Sequence, residues 1–190
     1  MFEVCDLCRV LANPLRLEIL ARVYCAMDGF NVGLLADEMQ KYHLGLPTVS
    51  EYLMQLERIG LIRRRREGRY VNYYPVSTGV PASIRGIVKL IVANLRNNGS
   101  RDYAGAFLAL KNPFRAKVVG LLSCKQSLST EAICIRFEHE MRYLYRDLKS
   151  AIDAGLIRAD GNCSDASYSY IPPKSEIVQL MIEQIAQTIK

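Results

Sequence analysis

A chain of 190 residues has room for two small domains, and with half its residues hydrophobic and 23% charged it builds cores instead of staying disordered. Its formal charge of +6 and pI near 9.0 suit a polyanionic partner. The longest apolar run, at 87–95, is broken by Lys89 and Asn94, and the opening MFEVCDLCRV has acids before any base. A membrane span and a secretory leader are both excluded on that reading. The expectation is a cytoplasmic protein with no membrane partner, whose six cysteines are reduced thiols.

Residues 2–12 have a helical pattern, with Val4, Leu7, Cys8 and Leu11 on one face. Asn13–Pro14 then supplies a helix start, since Asn13 caps free amides and Pro14 fits a position that needs no N–H. The next helix sets Leu17, Leu20, Ala21 and Tyr24 toward a core, with Glu18 and Arg22 outward. Asp28–Gly29 breaks it. Asn31 is placed to cap a third helix reaching about Gln40, with Leu34, Leu35 and Met39 inward, and 41–45 forms a turn.

The stretch that organises the chain comes next, LPTVSEYLMQLERIGLIRRRREGRYVNYYP at 46–75. Val49, Leu53 and Leu56 form an apolar helical stripe. Rotation of roughly 100° per residue sends Thr48, Glu51, Met54, Gln55 and Arg58 to the other side. Gly60 stops the helix, and two β-prone runs, 61–66 and 69–74, flank a Glu67–Gly68 turn. This is the layout of a winged helix-turn-helix, whose helix enters the DNA major groove while the hairpin, or wing, reaches the backbone. The wing sets Arg63, Arg64, Arg65, Arg66 and Arg69 against a single Glu67. A solvated charge run is the ordinary fate of such residues. Helix, glycine stop and hairpin in register favour a nucleic-acid role. The candidate DNA-binding residues are therefore Thr48, Ser50, Glu51, Gln55 and Arg58 on the helix, with the five wing arginines.

LANPLRLEIL (11–20), VGLLADEM (32–39), PTVSEYLMQLERIGLI (47–62) and RRREGRYVNYYP (64–75) together resemble the ArsR family of winged-helix repressors, over residues 1–76. The resemblance implies a dimeric, operator-binding repressor of the kind often released by a metal or another signal. The family's DNA-facing helix begins with small polar residues, then His or another polar residue. Thr48 and Ser50 fit that pattern; Pro47 and Glu51 depart from it. Glu51 repels phosphate but is able to accept a hydrogen bond from a cytosine amino group.

After Pro75 come a loop with Gly79 and Pro81 and an amphipathic helix bearing Ile84, Ile87, Val88, Ile91 and Leu95, ended by Asn97–Asn98–Gly99. The resemblance implies that this helix pairs subunits; packing on its own domain is the alternative. The second half then repeats the first. Leu110, Asn112, Pro113 and Arg115 stand 99 residues after Leu11, Asn13, Pro14 and Arg16. Gly155, Leu156, Ile157 and Arg158 stand 95 after Gly60, Leu61, Ile62 and Arg63, and Tyr170 and Pro172 stand 97 after Tyr73 and Pro75. The copies differ in charge. The second wing, 158–168, sets Arg158 against Asp160 and Asp165. Its preceding helix, 139–154, turns Leu144, Leu148 and Ala151 to the core and leaves Arg142, Tyr143, Arg146 and Lys149 as further possible contacts. A last helix after Pro172–Pro173 carries Val178, Met181, Ile182, Ile185 and Ile189. The expected fold is mainly α with small antiparallel β wings, as tandem winged helix-turn-helix modules. A DNA-binding module spans 1–78, a connecting helix 79–99, a degenerate second module 100–172 and a C-terminal helix 173–190.

Other chemistries find less support. Cys5-x-x-Cys8 places two thiols for a soft metal, and VCDLC resembles the metal box of some ArsR members. In those sensors the box lies within the helix-turn-helix, whereas here it precedes Asn13–Pro14. Cys25, Cys124, Cys134 and Cys163 lack paired spacing, and His43 and His139 lie far off in sequence, so no metal ligand is assigned. Without a Gly-rich phosphate loop, a His-Glu metal motif or a nucleophile elbow, neither an enzyme nor a cofactor is expected. The expected function is a sequence-specific regulator of transcription, a repressor binding double-stranded DNA as a homodimer, its inducer undefined. A monomeric pseudo-dimer is the alternative assembly, and a winged-helix scaffold that binds only protein is the alternative function.

Overall fold

The computed structural model describes residues 4–26, 28–76, 82–96, 103–162 and 165–189. Gly79, Pro81, Asn97–Asn98–Gly99, Cys163 and the side chain of Leu95 lie outside the described residues. The protein is 65% helical, with two small antiparallel sheets, so the mainly-α expectation with short β elements holds. The chain divides into two compact units.

The first unit holds α2 (Pro14–Cys25), β1 (Phe30–Asn31), α3 (Val32–Met39), a 3-10 turn at Gln40–Tyr42, α4 (Leu46–Arg58), β2 (Ile62–Glu67), β3 (Tyr70–Pro75) and α5 (Ala82–Arg96). Asn13 caps α2 as its sequence predicts: its side-chain oxygen accepts from the Leu15 N–H at 2.8 Å and the Arg16 N–H at 3.4 Å. Asn31 does the same for α3, accepting from Gly33 and Leu34. Leu17, Leu20, Val23, Leu35, Met39, Val49, Leu53, Leu56, Leu61 and Ile62 are buried together, each contributing on the order of 1.5–3 kcal/mol by leaving water. Tyr24 donates to the Leu61 carbonyl at 2.9 Å, fixing α2 to the base of the hairpin.

Leu34 departs from its expected inward position: it is 63% exposed, while Leu35 and Met39 are buried. The 3.6-residue period leaves room for only part of a Leu34–Leu35 pair on a narrow inner stripe, and Leu35 takes it. The third strand, β1, has no counterpart in the sequence pattern. Its two residues pair with β3 as Phe30↔Tyr73 and Asn31↔Asn72, too short a run to show alternation.

The second unit holds α6 (Tyr103–Leu110), α7 (Pro113–Lys125), β4 (Ser127–Ser129), α8 (Thr130–Phe137), α9 (Met141–Asp153), β5 (Ile157–Asp160), β6 (Ser167–Tyr170) and α10 (Glu176–Thr188). It also takes in α1 (Val4–Leu11), which packs on α6 and α10 through a face including the buried Leu7, Cys8 and Leu11. Chain order alone would put that helix at the head of the first module. The order from α7 to α10 otherwise repeats that from α2 to α5, and the sheets share one topology, β1-β3-β2 and β4-β6-β5.

The repeat extends to single hydrogen bonds. Leu61 N–H donates to Leu56 O at 3.0 Å, and Leu156 N–H to Ala151 O at 2.9 Å. Val76 N–H donates to Leu61 O, and Ile171 N–H to Leu156 O. Asn112 caps α7 through the Arg115 N–H at 3.2 Å, as Asn13 caps α2. Gly60 and Gly155, with φ of 73° and 67°, end α4 and α9 in the left-handed conformation that lets the chain turn at once into a strand.

In the second unit α7 and α10 approach closely at Gly120. A Cβ there would lie 2.8 Å from Ile189 Cδ1 and 2.9 Å from Ile185 Cγ2. Gly105, on α6, has open space at the same position. Gly120→Val is therefore expected to cost about 1–3 kcal/mol by overpacking. Gly105→Ala should be neutral or stabilise by up to about 1 kcal/mol through helix propensity. Thermal melts of the two variants beside the parent check this ordering.

Candidate nucleic-acid interface

α4 buries Val49, Leu53 and Leu56 completely, so its orientation is set by the apolar stripe read from sequence. Its opposite side carries exposed Glu51 and Arg58, with Thr48, Ser50 and Gln55 half-buried along the edges. Leu46 and Met54 are also on the outside, 49% and 50% exposed. This helix face is therefore mixed, polar with two apolar side chains.

The hairpin follows through Gly60. Its register pairs Arg63 with Tyr74, Arg64 with Tyr73, Arg65 with Asn72, Arg66 with Val71 and Glu67 with Tyr70. Alternation along a strand sets Arg64 and Arg66 on the face of Ile62 and Tyr73, and Arg63 and Arg65 on the face of Glu67. All five arginines are exposed, including Arg69 at the turn.

Two carboxylates organise them. Glu57 of α4 accepts the Arg64 backbone N–H at 3.1 Å and meets its guanidinium at 3.5 Å, tying helix to strand. Glu67 lies 3.6 Å from Arg65. At the tip, Arg66 donates to Gly68 O at 3.3 Å, and Arg69 donates to the Tyr70 hydroxyl at 2.7 Å with its guanidinium 4.9 Å above that ring. Exposed pairs of this kind are worth only about 0–1 kcal/mol and are readily exchanged for a stronger anion. They orient the guanidinium groups; five of them still outnumber the two acids.

A residue not among the sequence candidates joins the helix face. Arg16, on α2, bonds the side-chain carbonyl of Gln55, and its guanidinium lies 5.6 Å from the centre of the Tyr52 ring. Gln55 in turn donates to Glu51 at 3.1 Å, and Asn13 donates to the Tyr52 hydroxyl at 3.2 Å. Burial pulls Arg16 below its ordinary pKa, opposed by Tyr52 and Glu51. The available signal was the repeated Asn-Pro-x-Arg: in the second unit Arg115 likewise reaches α9, at Ser150 Oγ (3.2 Å) and Asp147 O (3.4 Å).

No family model, curated protein or solved structure matches the chain. The chemistry of the interface therefore rests on its own geometry.

The other sequence features gather into less. Cys5 and Cys8 are both buried, and burial together with the neighbouring Cys5 thiol pushes Cys8 well above the usual thiol range, so it stays protonated. Among the described residues no group of three or more His, Cys, Asp or Glu is placed to hold a metal ion. No helix among them is long and apolar enough to cross a membrane. On α9, Arg142 and Arg146 each lie 4.6 Å from the centre of the Tyr143 ring. Arg142, Arg146 and Lys149 pair with Glu140, Asp147 and Asp153, so that face is close to neutral. An open cleft of about 490 Å³ lies between α3 and the hairpin, with Leu34, Asp37, Glu67 and Tyr70 on its walls.

Glu67 has a distinct titration. Hydrogen bonds from the Tyr74 hydroxyl at 2.8 Å and the Asn72 amide at 2.7 Å hold its carboxyl below the ordinary value, and Arg65 adds to this. The folded pKa is depressed, so its contribution to stability is present above the unfolded glutamate value of about 4.3 and is lost as pH falls through the folded value. Carbon-detected NMR titration should find the Glu67 midpoint below that of ordinary glutamates. Tyr74→Phe should move it back up.

Proposed function

We propose that the protein is a sequence-specific, double-stranded-DNA-binding regulator of transcription built from tandem winged helix-turn-helix modules, resembling ArsR-type repressors. In this reading α4 is the recognition helix, β2–β3 is the wing, and the second unit is a divergent copy with a supporting role. The protein acts in the cytoplasm as a repressor and does no enzymatic chemistry. The observation that carries the reading is the exposed arginine hairpin set directly behind a helix with a solvent-facing polar edge, Glu57 bridging the two. Phosphates meet the excess of guanidinium groups over the two carboxylates beside them, and cation release on binding makes the association salt-dependent.

The division of labour follows from chemistry. The wing arginines take phosphates and supply affinity without sequence information, while the α4 residues face base edges. Arg66→Ala together with Arg69→Ala is expected to weaken binding to all duplexes alike. The slope of log K against log salt should flatten by about 0.9 for each phosphate that is no longer neutralised. Shift assays on cognate and random duplex at several salt concentrations measure it; a slope equal to that of the parent removes the wing from the interface.

A second reading has an observation of its own. Leu46 and Met54 expose half their surface on the outer side of α4, which suits a protein partner as well as thymine methyl groups. In a winged-helix scaffold that binds only protein, the parent would leave random and selected duplexes unshifted.

Each chain has one arginine-rich hairpin, since β5 and β6 carry Arg158 paired to Asp160 at 2.9 Å. A two-fold DNA site with two equal half-sites is therefore met by two chains, and a homodimer is the proposed state. Light scattering at micromolar concentration should return twice the 21.5 kDa chain mass; a value of 21.5 kDa selects the monomer.

A further inference from the structure

The Arg16–Gln55–Glu51 chain constrains what α4 is able to read, and the constraint rests on the DNA-binding reading above. A guanidinium has only N–H donors and a carboxylate only acceptors. An amide held between them has a single satisfying orientation, carbonyl oxygen to Arg16 and NH2 to Glu51, and those are the contacts present. A glutamine recognises adenine by offering both ends of its amide at once, accepting from N6 and donating to N7. Here one lone pair of the carbonyl and one N–H of the NH2 are already engaged within the protein, which fixes the orientation of the amide. Gln55 is half-buried, whereas Glu51, one helical turn earlier, is exposed.

The consequence falls on Glu51. One of its oxygens accepts from Gln55 Nε2 at 3.1 Å, which restricts the carboxylate's rotation and leaves its remaining acceptor capacity toward solvent. An acidic residue against DNA costs repulsion from phosphates. Burial lowers the Arg16 pKa and the Glu51 charge opposes that lowering, so the two charges partly offset each other. A carboxylate held this way suits the N4 amino group of cytosine, which has no neighbouring acceptor on its own base edge in the major groove to repel it. Adenine sets its N7 acceptor beside the N6 amine and suits it less.

We infer that Glu51 is the base-reading residue of α4, that it selects a cytosine amino group, and that Arg16 is a positioning residue acting on it through the Gln55 amide. The second unit has the same arginine without the relay. Arg115 ends on Ser150 Oγ and the Asp147 carbonyl, and no side-chain amide carries its influence outward. The clamp is common to both units; its extension to the outer face belongs to α4.

In-vitro selection from a random duplex library, with the full-length protein, tests this. The parent should enrich sites with one C·G pair fixed within the α4 footprint. Glu51→Gln should lose that cytosine preference by about tenfold. Arg16→Met and Gln55→Met should relax the same base pair by a similar factor, read as the ratio of affinity for the selected duplex to affinity for random duplex. Arg16→Lys, which keeps a donor for Gln55, should recover part of the preference. Thermal melts separate folding from reading: a purely structural clamp would lower the melting temperature of Arg16→Met and leave the selected sequence unchanged. An unchanged preference in Glu51→Gln, or in both methionine variants, overturns the inference while leaving DNA binding intact. A parent that binds no duplex overturns both.

Discussion

The helix start at Asn13 is the contact on which the first unit depends. A single side chain satisfies two N–H groups at the beginning of α2 through its oxygen, and through its nitrogen holds the Tyr52 hydroxyl of α4. One turn on, Arg16 makes a second link to α4 over the same ring. α4 is thus fixed along its length by buried Val49, Leu53 and Leu56 below and by α2 at its flank. Its outer edge is held by the same bonds. The hairpin inherits that order through Glu57, which joins α4 to the first strand.

The two units show how one scaffold tolerates different surfaces. Caps, glycine stops and strand order recur, because they are dictated by backbone groups that must be paired wherever they are buried. The exposed positions are under no such demand. β2 holds four consecutive arginines, whereas β5 pairs its one arginine with an aspartate. On α4 the outer face mixes Glu51, Met54 and Arg58, whereas on α9 basic and acidic side chains alternate into ion pairs.

Most of this architecture is legible in the sequence. Periodicity locates α4 and its inner stripe, glycine places its end, and Asn-Pro places the starts of α2 and α7, because each of those signals is local. What escapes is long-range or too short. β1 and β4 have two and three residues, which give no pattern. Leu34 is indistinguishable from Leu35 as an apolar residue, and only the width of the inner stripe separates them. Rotation directs Gln55 to the outer side, whereas the structure has it half-buried at the edge with its amide turned back to α2, since periodicity gives the direction of a Cα–Cβ bond and not the partner of a side-chain tip. The amphipathic face of α1 is recognisable, but a stripe does not name the surface that covers it.

The covering of α1 by later helices affects how the molecule is made. α1 is synthesised before the first unit, but the helices that cover it, α6 and α10, are synthesised after the whole of that unit. Residues 13–96 form a unit with its own core, whereas Leu7, Cys8 and Leu11 are covered by helices made only afterwards. A nascent chain halted after α5 would carry both a finished arginine hairpin and an uncovered apolar helix. Completion of the second unit is what supplies the α6 and α10 surfaces that cover that helix.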